Sequence, residues 1–264
     1  MVILNSEFGI HKYLPTFQPD FSKPTRMSLK GIVPRTWRRL KRVLLVLFVA
    51  QFVYIILLKW VNPPITITMI SSWVSLWGTD SKFHKTWVSY DEISQHAKLA
   101  VIASEDQLFP DHDGFDYKSI EKAMKHNQKS KKIRGASTIS QQVAKNVFLW
   151  QGRSWIRKGL EVYFTFMIEK IWGKQRILEM YLNVAQTGDG IFGIEAAAQA
   201  YYNKSAASLN REESAMIAAC LPNPVKYTVN PPAKITAYRQ RRILIQMRNL
   251  SPDRDIMELV TGRK

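Results

Sequence analysis

Residues 43–58 read VLLVLFVAQFVYIILL, sixteen positions without a charge and broken only by Gln51. With Lys59, Trp60 and Val61 the stretch reaches about 20 residues, enough to cross a bilayer core as a helix when Lys59 snorkels its amine to the interface. Arg35, Arg38, Arg39, Lys41 and Arg42 precede it. Such a cluster marks the N-terminal side as cytoplasmic. A cleaved signal peptide fits poorly, because the leader is long and no small-x-small site follows the apolar run. The expectation is an uncleaved single-span anchor over residues 43–62, with the bulk of the chain exported.

The sequence around the anchor divides the chain. Residues 1–42 form a basic cytoplasmic tail, and its first 34 positions, rich in Pro, Phe and polar residues without helical period, are expected to be disordered; Met27 is an alternative start of translation. Residues 63–86 are membrane-proximal and place Trp73 and Trp77 four apart. Two readings stay open for them: an interfacial segment, and a hydrophobic helix packed on the core. Residues 87–250 are expected to form one domain, with residues 251–264 as a C-terminal tail.

The chain holds 38 Lys and Arg against 21 acids, a formal charge of +17. Nine basic residues stand against two acids over residues 1–42, and 28 against 19 over residues 60–264. The second excess suits nucleic acid, an anionic membrane or a phosphate-bearing substrate. The lone Cys220, inside SAMIAACL, excludes an internal disulfide framework and reads as a small buried side chain. CxxC, HExxH and Walker motifs are absent, which argues against a protein-bound zinc or a P-loop.

Beyond the anchor the pattern is helical. Apolar residues recur at helical spacing over 91–109, 118–130, 154–172 and 174–185. A helix from Thr138 carries a capping-box spacing with Gln141 and an apolar stripe of Ile139, Val143 and Val147. A glycine turn, TGDGIFG, precedes the helical EAAAQAYY. Asn210 and Glu213 cap a helix that stops before Pro222, and Pro232 opens a last, Arg-rich one. The class is mainly α.

Two carboxylates stand in opposed surroundings. Residues 104–116, SEDQLFPDHDGFD, hold five acids and no Lys or Arg. Glu105 follows the apolar AVIAS, where partial desolvation raises a carboxyl pKa and suits it to proton transfer. Glu161 lies four residues after Arg157 and three after Lys158, whose charges favour its ionised form. Such a pair fits acid/base work on sugars; a Glu flanked by basics is also an ordinary surface ion pair. Asp106 is a candidate to orient Glu105 or contact substrate, and His112 is a second candidate. Asp111-His112-Asp113 lacks a third ligand set, so a tight loop closed at Gly114 is preferred over a metal site. In GASTISQQVAKN, Ser137, Gln142, Lys145 and Asn146 gather hydroxyls, amides and a cation that suit sugar hydroxyls and phosphate oxygens. Arg153, Arg157, Lys158 and Lys174 extend this into a cationic wall for a diphosphate.

In these blocks, together with RILEMYLNVAQTGDGIFGIEAAAQAYYNK (176–204) and EESAMIAACLPNPVKY (212–227), the chain resembles the monofunctional biosynthetic peptidoglycan transglycosylases, relatives of the glycosyltransferase domain of bifunctional penicillin-binding proteins. The resemblance covers roughly Trp87 to Pro231. It implies a lysozyme-like, mainly α glycosyltransferase domain behind a single transmembrane helix. It also implies polymerisation of lipid II, with the growing lipid-linked chain as donor, inversion at its anomeric carbon and release of undecaprenyl diphosphate. On this resemblance Glu105 matches the general base and Glu161 the second essential Glu. Lys145 and Arg153 match the diphosphate contacts, with Lys158 and Gln142 close by, and Ser137, Asn146 and Arg157 join the binding set. No metal is expected to be held by the protein alone; a divalent cation, Mg or Mn, near Glu161 and the diphosphate is what the family implies. Expected partners are lipid II, the growing chain, the membrane and proteins of cell-wall synthesis or division, and not nucleic acid. The expected location is the bacterial inner membrane, with the N-terminus cytoplasmic and the domain periplasmic. Too few residues follow the last block for a transpeptidase domain. The chain departs from many relatives at Gln186-Thr187 and Tyr202-Asn203, which bears on local loop packing. Two rivals are a glycan-cleaving enzyme of lysozyme or lytic type, which needs no cationic wall, and an anchored module that binds anionic polymer and needs no Glu105.

Overall fold

The structure, a computed structural model, describes residues 32–78, 82–130, 135–152 and 154–262, for residues 32–35 the backbone alone. The expectations for residues 1–31 and for Arg153 lie outside the described residues. The chain divides into two units, residues 1–49 and 50–264.

Helix α1 spans Ile32–Leu57, so the boundary between the units falls within it. Residues 36–57 are long and apolar enough to cross a membrane. The candidate span therefore begins inside the basic cluster and ends five residues before the expected limit at residue 62. Its last turns belong to the larger unit. Ile55 and Leu58 are buried, Trp172 Nε1 donates to the Ile55 carbonyl at 2.7 Å, and Gln51 donates to the Tyr163 hydroxyl at 2.7 Å. The Arg176 guanidinium donates to the carbonyls of Leu58 and Val61. A cation at this position satisfies carbonyls that a helix end leaves unpaired. The periodicity of an all-apolar run carries no hint of this docking.

Helix α2 (Ile67–Ser75) is capped by Thr66, whose hydroxyl accepts from the Met69 amide at 3.3 Å. Met69 and Thr68 point inward, while Ile67, Ile70, Trp73, Val74 and Trp77 are exposed, with the Trp73 and Trp77 rings stacked at 6.2 Å. The segment thus packs on the core through Met69 and carries an apolar outer face, so both readings keep an observation behind them.

The core is built on α3 (Gln95–Glu105), buried from Ala97 through Ala103. A helix apolar on nearly every face must be central. Helices α9 (Arg211–Cys220) and α10 (Lys234–Leu250) pack against it. Around the rest of the core stand α4 (Tyr117–Lys129), α5 (Ile139–Phe148), α6 (Trp155–Ile171), α7 (Lys174–Val184) and α8 (Ile194–Tyr202). Their bounds follow the sequence reading closely because the caps are as expected. Thr138 and Gln141 form the capping box of α5, and Asn210 and Glu213 that of α9.

A small sheet of β1 (His84–Lys85), β2 (Gln186–Gly188) and β3 (Ile191–Phe192) has the order β1-β3-β2. His84 pairs with Ile191 in parallel, and Gln186 with Phe192 antiparallel. The turn between β2 and β3 needs Gly190, which has φ +70°; a Cβ there would lie 2.5 Å from the Lys82 carbonyl oxygen. The two departures from relatives sit here without disruption. The Thr187 carbonyl accepts from the Tyr201 hydroxyl at 2.9 Å and from the Cys220 thiol at 3.0 Å. Asn203 takes the left-handed conformation, φ 52°, that ends α8, a position where Asn substitutes for Gly. Burial pushes the Cys220 thiol up to about 12.

Residues 251–264, expected as a tail, contain a docked helix, α11 (Arg254–Thr261), with Ile256 and Val260 buried. Tyr90 Oη donates to the Leu259 carbonyl at 2.6 Å, Lys98 Nζ donates to the Val260 carbonyl at 3.3 Å, and the Lys98 amine lies 3.8 Å from the Tyr90 ring centre. The octapeptide RDIMELVT places Ile256, Met257, Leu259 and Val260 at helical spacing behind the cap Asp253, a signal that the reading of a tail passed over.

Candidate active site

Glu105 is the last residue of α3 and is half-buried. Its two oxygens have different donors: the Ser104 hydroxyl to Oε1 at 3.0 Å, and the Gln142 amide to Oε2 at 2.9 Å. Gln142 belongs to α5, and its carbonyl oxygen accepts from the buried Tyr181 hydroxyl of α7 at 3.3 Å. Three helices thus converge on one carboxylate. Sequence reasoning gave Gln142 to the diphosphate; the structure binds it to Glu105.

Asp106 does not share this task. It is buried, lies 3.0 Å from His112 Nε2, and accepts from the Ile139 amide at 3.0 Å. That amide is the first of α5, so Asp106 satisfies an otherwise unpaired donor and its charge lies at the positive end of the helix. His112 Nδ1 accepts from the Gly114 amide at 3.1 Å, which leaves Nε2 as the protonated nitrogen facing Asp106. Both residues brace the junction between the Glu105 loop and α5. Asp106 makes no hydrogen bond to Glu105 among the described residues, and His112 bonds locally, as its place in a tight loop leads one to expect. Gly114 itself has φ +87°, and its carbonyl accepts from Thr138 Oγ1 at 2.7 Å. Asp116 caps α4 through the Ser119 amide, whereas Asp111 and Asp113 are exposed.

Glu161 on α6 is buried, with 3% of its surface exposed. Arg157 donates to its Oε2 at 2.8 Å, and Lys158 pairs with its Oε1. A carboxylate this deep is stable only with such partners. Lys145 of α5 carries no hydrogen bond from its amine to any described residue. Burial pulls its pKa below the usual lysine range; Arg157 and Lys158 add to that, while Glu161 and Glu105 oppose it. Lys145 is thus the cation that both carboxylates influence. Lys174 turns away from this group. It donates to Glu169 at 2.8 Å and to the His112 carbonyl, and sits 4.6 Å from the Phe109 ring centre. Its place in a cationic wall is not borne out.

A cavity of about 410 Å³ lies beside these groups. Gln142, Lys145, Asn146 and Tyr181 form one part of its wall, Thr68, Ser71, Ser72 and Ser75 of α2 another, and Gln186, Pro222, Pro224 and Val225 a third. Glu105 is one hydrogen bond from this wall, through Gln142. Ser137 is exposed before the Thr138 cap and is not part of the described wall. The structure therefore brings together Glu105, Gln142, Lys145, Asn146, Arg157, Lys158 and Glu161. Sequence reasoning missed Tyr181, although a Tyr within an apolar stripe must find a partner for its hydroxyl once buried. It also missed the hydroxyl face of α2, which no spacing ties to the later helices.

The donors near Glu161 do not fit a divalent ion. Both of its oxygens are taken by cations, and the described residues hold no group of three or more His, Cys, Asp or Glu able to bind a metal.

A match to the family described as Transglycosylase spans residues 73–248, from the end of α2 through most of α10. A biosynthetic peptidoglycan transglycosylase of Xanthomonas euvesicatoria pv. vesicatoria is 50% identical over 220 residues, covering 82% of this chain and 89% of that protein. One from Salmonella agona is 50% identical over 232 residues, covering 85% and 95%. One from Yersinia pseudotuberculosis is 48% identical over 228 residues, with the same coverage of the two chains.

Proposed function

The chain belongs to the transglycosylase family and is a glycosyltransferase of peptidoglycan synthesis; from that premise we propose that it polymerises lipid II with Glu105 as general base and Lys145 as the principal contact of the donor diphosphate. The observation that carries this reading is a polar cavity with a desolvated lysine in its wall and a half-buried, doubly hydrogen-bonded carboxylate one hydrogen bond behind that wall.

The acceptor 4-hydroxyl attacks the anomeric carbon of the growing chain. Its proton passes to Glu105 as the new glycosidic bond forms, and the bond from that carbon to the diphosphate breaks with its electron pair on the leaving oxygen. Displacement from the face opposite the diphosphate inverts the centre. Glu105 meets the demand on a base, because neutral donors hold both oxygens in place and leave lone pairs for the incoming proton. Lys145 meets the demand on the leaving side, since an amine shielded from water interacts more strongly with developing charge. Glu161 holds Arg157 and Lys158 in position and limits their mutual repulsion. In this reading Glu161 is a holder of cations. A divalent cation, Mg or Mn, would be held by the diphosphate rather than by Glu161, and would offset part of the leaving group's charge. Arg153 joins the diphosphate contacts on the strength of the resemblance alone.

The basic residues Arg38, Arg39, Lys41 and Arg42 at the start of the span support a cytoplasmic N-terminus and a domain on the outer face of the inner membrane, where lipid II is consumed. The experiment incubates the purified full chain with lipid II and, separately, with mature peptidoglycan. Glycan strands from lipid II and no fragments from the mature polymer are expected. Fragments without strands would replace this reading with a lytic one.

A further inference from the structure

Resting on the reading of Glu105 as base, we propose that Tyr181 is a positioning residue for the reaction, acting through Gln142 to present the amide NH2 to Glu105. Gln142 can offer either end of its amide to a neighbour. Here Nε2 donates to Glu105 Oε2 at 2.9 Å while Oε1 accepts from the Tyr181 hydroxyl at 3.3 Å. If the amide turned over, its carbonyl oxygen would face the carboxylate, two acceptors without a proton between them. The phenol opposes that turn. Tyr181 is 1% exposed within the core, and Gln142 Oε1 is the acceptor of its O–H among the described residues. A buried hydroxyl left without an acceptor is costly.

The members of this chain differ in mobility. Tyr181 is fixed by α7 and the core around it, whereas Gln142 is half-buried on the cavity wall and has room to swing away. Without the phenol the Gln142 carbonyl end is untethered, and Glu105 Oε2 loses a donor that favours its ionised form. Ser104 then remains as its one donor. The phenol is dependable in this role because burial, then Glu105 and Cys220, push its pKa well above the ordinary tyrosine value, so it stays protonated. Glu105 acts electrostatically on Lys145 of α5, Tyr181 of α7 and Cys220 of α9, and replacing a neutral phenol by phenyl adds no charge among them.

The experiment is a double-mutant cycle of Tyr181→Phe and Gln142→Ala in the full chain, assayed with lipid II. Tyr181→Phe keeps the ring and the buried volume. It is expected to lower kcat about tenfold with KM within about twofold, the size of one hydrogen bond acting through the base. In the Gln142→Ala background the same substitution should change kcat by less than about twofold. An equal loss in that background, or a loss in KM alone, would overturn the relay in favour of direct substrate contact or mere packing. Were Tyr181→Phe to fail to fold, Gln142→Ala must by itself lower kcat with KM within about twofold; an unchanged kcat overturns the proposal. A dead Glu105→Gln enzyme beside a normal Tyr181→Phe enzyme sinks this inference alone, whereas an active Glu105→Gln enzyme sinks the assignment of the base.

Discussion

At Lys145, burial and the neighbouring cations Arg157 and Lys158 favour the neutral amine, while Glu161 and Glu105 favour the charged one. Burial wins, so the charge needed at the diphosphate is lost at a lower pH than for an ordinary lysine. The alkaline limb of the rate should therefore fall early. Lys145→Arg keeps a charge at every working pH and should move that limb upward, and Lys145→Ala should cost on the order of 1.5–3 kcal/mol of transition-state stabilisation. A pH profile of kcat/KM tests both; an alkaline limb unmoved in Lys145→Arg would mean that another group titrates there. Lys145, Gln142, Glu161 and Glu105 were legible in the sequence, because helical spacing and local charge point to them directly. The contacts of Asp106 and Lys174 were not legible for a physical reason: which way such a side chain turns depends on partners distant in sequence. Asp106 meets the start of α5 across 33 positions, and Lys174 meets the His112 carbonyl across 62.

Among the elements, α5 organises the site, and its N-terminus decides where its functional side chains fall. Thr138 Oγ1 accepts from the Gln141 amide at 3.2 Å and donates to the Gly114 carbonyl at 2.7 Å, and Gln141 returns a bond to the Thr138 amide. Thr138→Ala removes the cap and leaves the buried Gly114 carbonyl without that donor. A loss of about 1–2 kcal/mol in stability is expected, measured by denaturant unfolding of the detergent-solubilised chain. A change below about 0.3 kcal/mol would show that the capping box does not hold α5. This cap was readable from four residues. The helix α11 was readable too, from Asp253 and the apolar Ile256, Met257, Leu259 and Val260, but its docking was not, because what fixes it is the reach of Tyr90 and Lys98 from α3 and the segment before it. The hydroxyl face of α2 was hidden likewise: Ser71, Ser72 and Ser75 read as helix surface until the cavity shows what they line.

Within the larger unit, the end of the apolar helix is anchored on the helices that stand around the polar cavity. The end of α1 is tied to α6 and α7 by Trp172, Tyr163 and Arg176, and the exposed tryptophans of α2 follow within twenty residues. A substrate with a lipid tail and a charged head requires this kind of adjacency. The orientation predicts that protease added to intact spheroplasts cleaves the domain; protection until lysis would reverse it. The account turns most on Glu105. Its direct test compares the wild-type chain with Glu105→Gln, which keeps the side chain's shape but cannot take a proton, by strand synthesis from lipid II and by thermal unfolding. The account predicts a variant that unfolds at nearly the wild-type temperature and makes no glycan strands. Strand synthesis at the wild-type rate would contradict it.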